Sequence, residues 1–144
     1  MFKHILLPTD GSEAALRALR CGVELALKVG AHATVMTALE HFPAGIMGSG
    51  YRPPENPDEE PGLQLALERL SAAEEILRQS GLSYQRRLVK NKPVYVAIVD
   101  TAQECGADLI VMGTHGMSLM ERLFIGSQTQ RVLAHTHIPV LTLH

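Results

Sequence analysis

Gly113-Thr114-His115-Gly116, then nine residues, then Gly126-Ser127, is the spacing in this chain that most readily does chemistry. The apolar run Leu109-Ile110-Val111-Met112 leads into it, and Gln128 to His135 follow as a helix-forming stretch. A buried strand that runs into glycines and reaches a helix start at Gly-Ser has the parts of a phosphate cradle. Glycine carries no side chain to hold the backbone away from a ligand. The first turn of a helix offers N–H groups without intrahelical partners and the positive end of the dipole, and both attract an anion. The Ser127 hydroxyl adds one more hydrogen bond. The same residues also suit a plainer role, in which Gly113 ends a strand, Gly116 serves a turn and Ser127 caps a helix. Spacing alone leaves both readings open.

A second loop has matching composition. Pro8-Thr9-Asp10-Gly11-Ser12 follows the apolar run Ile5-Leu6-Leu7. If the strands before these two loops are neighbours, Asp10 faces the glycines across a crevice at the carboxyl ends of the strands, where open α/β sheets bind ligands. A carboxylate there can accept hydrogen bonds from ribose hydroxyls or help hold Mg²⁺ beside phosphates. A local Asx turn before a helix is the equal alternative for Asp10.

No catalytic set stands out. The lysine of a Gly-x-x-x-x-Gly-Lys loop is missing, so nothing supplies its charge to the outer phosphates. His115 sits in the loop, where it can touch a phosphate, act as a general base or simply face solvent. Arg122 and Arg131 can approach a phosphate, and Arg131, one turn into a helix, also falls where a surface salt bridge is expected. His135, His137 and His144 have no cysteine or carboxylate cluster beside them to complete a metal site.

Alternating elements must position these loops. Lys3 to Pro8 reads as a buried strand. Ser12 is an N-cap for an amphipathic helix over Glu13–Val29, with Leu16, Leu19, Val23 and Leu27 as its apolar stripe and Gly30 as its stop. Ala33 to Leu39 is strand-like. A helix is expected over Leu63–Gln79 with Leu63, Leu67, Leu70, Ala73 and Leu77 on one face. Tyr84 to Val89 is a strand whose Arg86 and Arg87 suggest a sheet edge. Asn91-Lys92-Pro93 starts a helix that runs to about Glu104. Ile138 to Leu143 is the last strand. Five strands alternating with four helices argue for a parallel sheet covered on both faces. Residues 41–62 differ from the rest: they hold five of the eight prolines and the acidic run Asp58-Glu59-Glu60. Such a stretch reads as a mobile surface loop, a lid or plain disorder.

Composition bounds the function. The chain has 144 residues, which suits one domain with a real core. Net charge is −2, which argues against a nucleic-acid partner. The longest apolar run, Val94 to Val99, is too short to span a bilayer. Cys21 and Cys105 fit no C-x-x-C motif and read as buried free thiols. With no signal-peptide pattern at the start, a cytoplasmic location is expected.

On these residues the chain resembles the universal stress protein family, and within it the ATP-binding branch. That family's signature is Gly, two residues, Gly, nine residues, Gly and then Ser or Thr, and Gly113, Gly116, Gly126 and Ser127 match it without a gap. Ile5 to Ser12 is similar to the family's opening strand and aspartate. Ala107 to Gly113 and Pro139-Val140-Leu141 look like further family blocks. The resemblance spans the chain, 1–144, apart from the proline-rich loop. It implies a doubly wound five-stranded parallel sheet in the order 3-2-1-4-5, with helices on both faces. It implies ATP as the ligand, with adenine near Pro8, Thr9, Ala38 and Met112 and with Asp10 and Gly113 near the ribose. Gly116, Gly126, Ser127, Gln128 and Thr129 would cradle the phosphates, with His115 in the same loop, and Asp10 could hold Mg²⁺. The family often has a small apolar residue where this chain has Gln128. It also implies a homodimer paired through the last strand, Val140 to Leu143. The function that follows is a nucleotide-dependent sensor or regulator in the stress response. Two alternatives stand beside it: a slow Mg²⁺-dependent ATP hydrolase or phosphoryl or nucleotidyl transferase, and a dimeric scaffold with a vestigial pocket.

Overall fold

The computed structural model describes residues 1–39, 62–114 and 127–144. Their order is β1 (His4–Pro8), α1 (Glu13–Val29), β2 (His32–Leu39), α2 (Leu63–Ser80), β3 (Tyr84–Lys90), α3 (Val94–Cys105), β4 (Leu109–Gly113), α4 (Ser127–His135) and β5 (Val140–Leu143). The strands form one sheet in the order β3-β2-β1-β4-β5, and every pairing is parallel. The alternation of strands and helices and the expected strand order are both found. The expected loop over 41–62 lies, apart from Gly62, outside the described residues.

Side chains of successive strand residues point to opposite faces of a sheet. Ile5, Leu7, Val35, Leu109 and Val111 therefore meet α1 and α2 on one face. Leu6, Met36, Ile110 and Met112 meet α3 and α4 on the other. This is why β1 and β4 read as unbroken apolar runs: each is covered twice.

Packing, rather than capping, holds α2. Its N-cap is Gly62, which offers no side-chain hydrogen bond. Leu70 and Leu77 are fully buried. Burying each stabilises by roughly 1.5–3 kcal/mol, more than the ~1 kcal/mol of a missing cap.

Helix α1 spans its expected residues and buries Leu19 and Val23 of the expected stripe, but its inward face is centred on small residues instead of Leu16 and Leu27. Ala14, Ala15, Ala18, Leu19, Gly22, Val23 and Ala26 are buried, whereas Leu27 is 49% exposed. Small residues let the helix axis approach the sheet, and a Cβ at Gly22 would lie 2.4 Å from Leu7 Cδ2. The cysteines also depart from expectation, since both free thiols are half-buried. Helix α3 begins at Val94, with Pro93 as its N-cap and Asn91 left-handed at φ 60°. Strand β5 begins at Val140 rather than Ile138, because the Ile138 N–H turns back to Thr136 Oγ1. The edge position of β3 is as expected, and Arg86 pairs with Glu74 at 3.0 Å.

The amino ends of the strands are closed by a polar cluster. The Asp108 carboxylate accepts the N–H of Lys3 at 2.8 Å and that of His4 at 3.1 Å. Buried His4 meets Thr34 through Nε2···Oγ1 at 2.7 Å and also hydrogen-bonds the Cys105 backbone. The His32 ring lies 4.0 Å from its ring. Burial, then the neighbouring His32, hold the His4 imidazole below its ordinary pKa. Burial pushes the Asp108 carboxyl up, but the N–H groups of Lys3 and His4 outweigh it and leave the pKa lowered.

Candidate functional site

Strand β1 lies between β2 and β4, and the helices that follow β1 and β4 pack on opposite faces. The chain therefore diverges beyond the carboxyl ends of these strands and leaves a crevice there.

The β1 side of the crevice is held by backbone and threonine hydrogen bonds. Thr9 N–H donates to Met36 O at 2.8 Å, Thr37 Oγ1 donates to Thr9 O at 2.8 Å, and Gly11 N–H donates to Thr9 Oγ1 at 3.1 Å. Gly11 has φ +78°, a conformation that an L side chain rarely takes. Asp10 is exposed, and its Oδ1 accepts the Ser12 N–H at 2.8 Å. The local Asx turn is thus present. It uses one carboxylate oxygen and leaves Oδ2 without a hydrogen bond among the described residues. Ser12 caps α1, accepting the Ala15 N–H at 3.2 Å.

The β4 side is built by close approach. A Cβ on Gly113 would lie 2.8 Å from Ala14 O and 3.1 Å from Ala15 N, in the backbone of α1's first turn. Only glycine lets the strand end sit there. Thr129 Oγ1 donates to Gly113 O at 3.1 Å and so ties the first turn of α4 to the end of β4. Thr114 N–H and Oγ1 both reach Leu143 O, at 2.9 and 3.1 Å. Helix α4 begins at Ser127, and Ser127, Gln128 and Thr129 of its first turn, where N–H groups lack intrahelical partners, line the crevice.

Between the two sides is a cavity of about 300 Å³. Pro8, Thr9, Asp10, Ala38, Met112, Gly113, Ser127, Gln128 and Thr129, all singled out from sequence, line it together. His115, Gly116 and Gly126 lie outside the described residues. Seven further residues line it: Ser12, Ala15, Met36, Thr37, Val94, Ile98 and Thr114. Val94 and Ile98 are one helical turn apart on α3, the only local signal they carried. Met36, Ala38, Val94, Ile98 and Met112 make an apolar wall, whereas Asp10, Ser12, Ser127, Gln128 and Thr129 make a polar end.

Two features define what this cavity can hold. Asp10 is the one charged residue among the described lining residues. Gln128 Oε1 is buried and has no hydrogen-bond partner among the described residues. Leaving a buried amide oxygen unpaired costs about 1–3 kcal/mol, which a ligand's donor would recover.

Among the described residues, the others weighed from sequence do not line the cavity. Arg131 stacks over the Tyr95 ring at 5.7 Å, and among the described residues it forms no salt bridge. His135 Nδ1 lies 2.7 Å from Arg131 O, and His144 Nδ1 lies 3.2 Å from Thr114 Oγ1. Among the described residues no three histidine, cysteine, aspartate or glutamate side chains converge on a metal position. Arg122 lies outside those residues. No helix among them is long and apolar enough to cross a membrane.

Comparison with known proteins finds one family. The model of the universal stress protein family matches residues 1–144. A universal stress protein of Thermus aquaticus is 37% identical over 142 residues, 98% of each chain. One from Methanocaldococcus jannaschii is 30% identical over 146 residues, 99% of this chain and 82% of the other. Among solved structures, a universal stress protein of Archaeoglobus fulgidus superposes with a TM-score of 0.76 at 29% identity, covering 100% of both chains. One from the same organism in complex with dAMP gives 0.71 at 27% identity, covering 100% and 98%. A universal stress protein in complex with cAMP gives 0.71 at 25% identity, covering 99% and 97%.

Proposed function

Because this chain belongs to the universal stress protein family, we propose that it is an ATP-binding member, a cytoplasmic sensor or regulator in the stress response whose state depends on bound nucleotide. The observation that carries this reading is the crevice between β1 and β4, with an apolar wall, a polar end and the N-terminus of α4 opening into it. The relatives in complex with dAMP and cAMP support it, since both ligands are adenine nucleotides.

The roles follow from chemistry. Adenine fits the wall of Ala38 and Met112 beside Pro8 and Thr9. The free oxygen of Asp10 suits a ribose hydroxyl or Mg²⁺. Ser127, Gln128 and Thr129 offer helix N–H groups to phosphate, and the family signature adds Gly116 and Gly126, with His115 between them. With no cation among the described lining residues, the charge of ATP is best met by the α4 dipole and by Mg²⁺. Binding of ATP is therefore expected to weaken when Mg²⁺ is removed.

The same reading includes a homodimer. Strand β5 is a sheet edge, and Leu141 is 38% exposed on it. An unpaired edge offers a row of N–H and C=O groups to a second copy. Sedimentation should show a dimer for the natural chain and a monomer for Leu141→Lys.

The test is a calorimetric titration with ATP and Mg²⁺, run beside a Gly126→Val/Ser127→Ala variant. Binding by the natural chain that is lost in the variant supports the reading. Absence of binding by both, in protein stripped of nucleotide, sinks it.

A further inference from the structure

We propose that the side-chain carbonyl of Gln128 is a specificity-determining group that accepts a hydrogen bond from a ribose hydroxyl of the bound nucleotide. This rests on the nucleotide reading above. Gln128 is the second residue of α4 and lines the cavity. Its Oε1 is the one buried side-chain polar atom among the described residues with no partner. A buried acceptor without a donor is a destabilising feature for the empty protein. An apolar residue in its place would avoid that penalty, so the amide is expected to meet a donor brought by the ligand.

The chemistry of a nucleotide narrows the donor. Phosphate oxygens and the ring nitrogens of adenine that do not bear the sugar are acceptors, so they do not satisfy Oε1. The donors are the 2′- and 3′-hydroxyls and the 6-amino group of the base. The apolar wall that suits the base is formed largely by β2 and α3, through Met36, Ala38, Val94 and Ile98, with Met112 of β4 at its margin. Gln128 belongs to α4, whose first turn is tied to β4 through Thr129 and Gly113. Strand β1 and Asp10 lie between β2 and β4. This arrangement assigns Gln128 to the sugar rather than the base. Asp10, whose Oδ2 has no hydrogen bond among the described residues, would meet the same sugar as a second acceptor.

The test compares ATP, 2′-deoxyATP, 3′-deoxyATP and inosine triphosphate by calorimetry in the natural chain, Gln128→Met and Gln128→Glu. Met keeps the volume without the acceptor, and Glu keeps the acceptor. In the natural chain one of the two deoxy analogues should bind about tenfold more weakly than ATP, the size of one neutral hydrogen bond. In Gln128→Met that ratio should collapse to within about twofold, and in Gln128→Glu it should persist, even if every ligand binds more weakly. The ligand-free Gln128→Met protein should melt no lower than the natural chain, because an unpaired amide has been removed. A role confined to packing would instead lower the melting temperature and leave the ratio unchanged. Equal ratios in the natural chain and Gln128→Met for both deoxy analogues overturn the inference. So does a change confined to inosine triphosphate, which would put Gln128 on the base. A natural chain that binds no nucleotide overturns the underlying functional reading as well, which separates the two failures.

Discussion

The two ends of the parallel sheet treat their polar groups in opposite ways. At the amino ends, Asp108 holds the N–H groups of Lys3 and His4, and His4 is matched by Thr34 and the Cys105 backbone. At the carboxyl ends, among the described residues, Asp10 Oδ2 has no hydrogen bond and Gln128 Oε1 is buried without a partner, and the first turn of α4 lines a cavity. Both ends are built from short polar residues next to strands. The difference is that one end is satisfied within the chain and the other has hydrogen-bonding capacity left over. Stability is expected to depend on the first end and ligand affinity on the second.

Substitutions at each end can break that division, and the largest effect is expected where the two properties meet. Gly113→Val would drive side-chain atoms into the backbone of Ala14 and Ala15. We expect a loss of about 3 kcal/mol of stability by urea denaturation, the upper end for overpacking, together with loss of nucleotide binding. Unchanged stability would mean that α1 does not pack on β4 as described. Asp108→Ala removes an acceptor shared by two N–H groups and should cost about 2 kcal/mol, with ATP affinity within about twofold of the natural value. Asp10→Ala should show the reverse pattern. Its one local bond is exposed, so stability should change by less than about 1 kcal/mol, while ATP affinity falls about tenfold.

The smallest expected effect is a pH dependence at the amino end. The folded-state pKa of His4 lies below the ordinary 6.5. An unfolded chain therefore binds the proton more readily, and stability rises with pH across that interval. The contribution is complete above pH 6.5 and is lost as pH falls toward the lowered folded value. Asp108 acts in another window, below its ordinary 3.8, where its stabilisation is lost as acid protonates it. Denaturant midpoints measured from pH 5 to pH 7 should rise, and His4→Leu/Thr34→Val should flatten that slope. An equal slope in the double variant would assign the pH dependence elsewhere.

The architecture was legible because its signals are local. Unbroken apolar runs marked β1 and β4, Ser12 marked the start of α1, and alternation with helices marked a parallel sheet. The periodicity of α1 identifies Leu19 and Val23 as buried but overstates Leu16 and Leu27, because leucines stand out in such a count. The sheet in fact receives Ala18, Gly22 and Ala26, and depth of approach is a tertiary property. The site divides in the same way. Pro8, Thr9, Asp10 and Gly113 announce a turn or a close approach by residue type. Thr37, Val94 and Ile98 join the cavity only through strand register and the docking of α3, which no spacing in the chain encodes. Gln128 was visible as a departure from a family pattern, but its missing partner becomes visible only when the chain is folded.

The most direct test of the division between the two ends is a map of backbone amide shifts in the nuclear magnetic resonance spectrum as ATP and Mg²⁺ are added. The amides of Thr9, Asp10, Gly113, Gln128 and Thr129 should move with a common saturation curve, while those of Lys3, His4 and Asp108 stay still. Shifts that saturate at the amino end, with the carboxyl-end amides unmoved, would contradict the account.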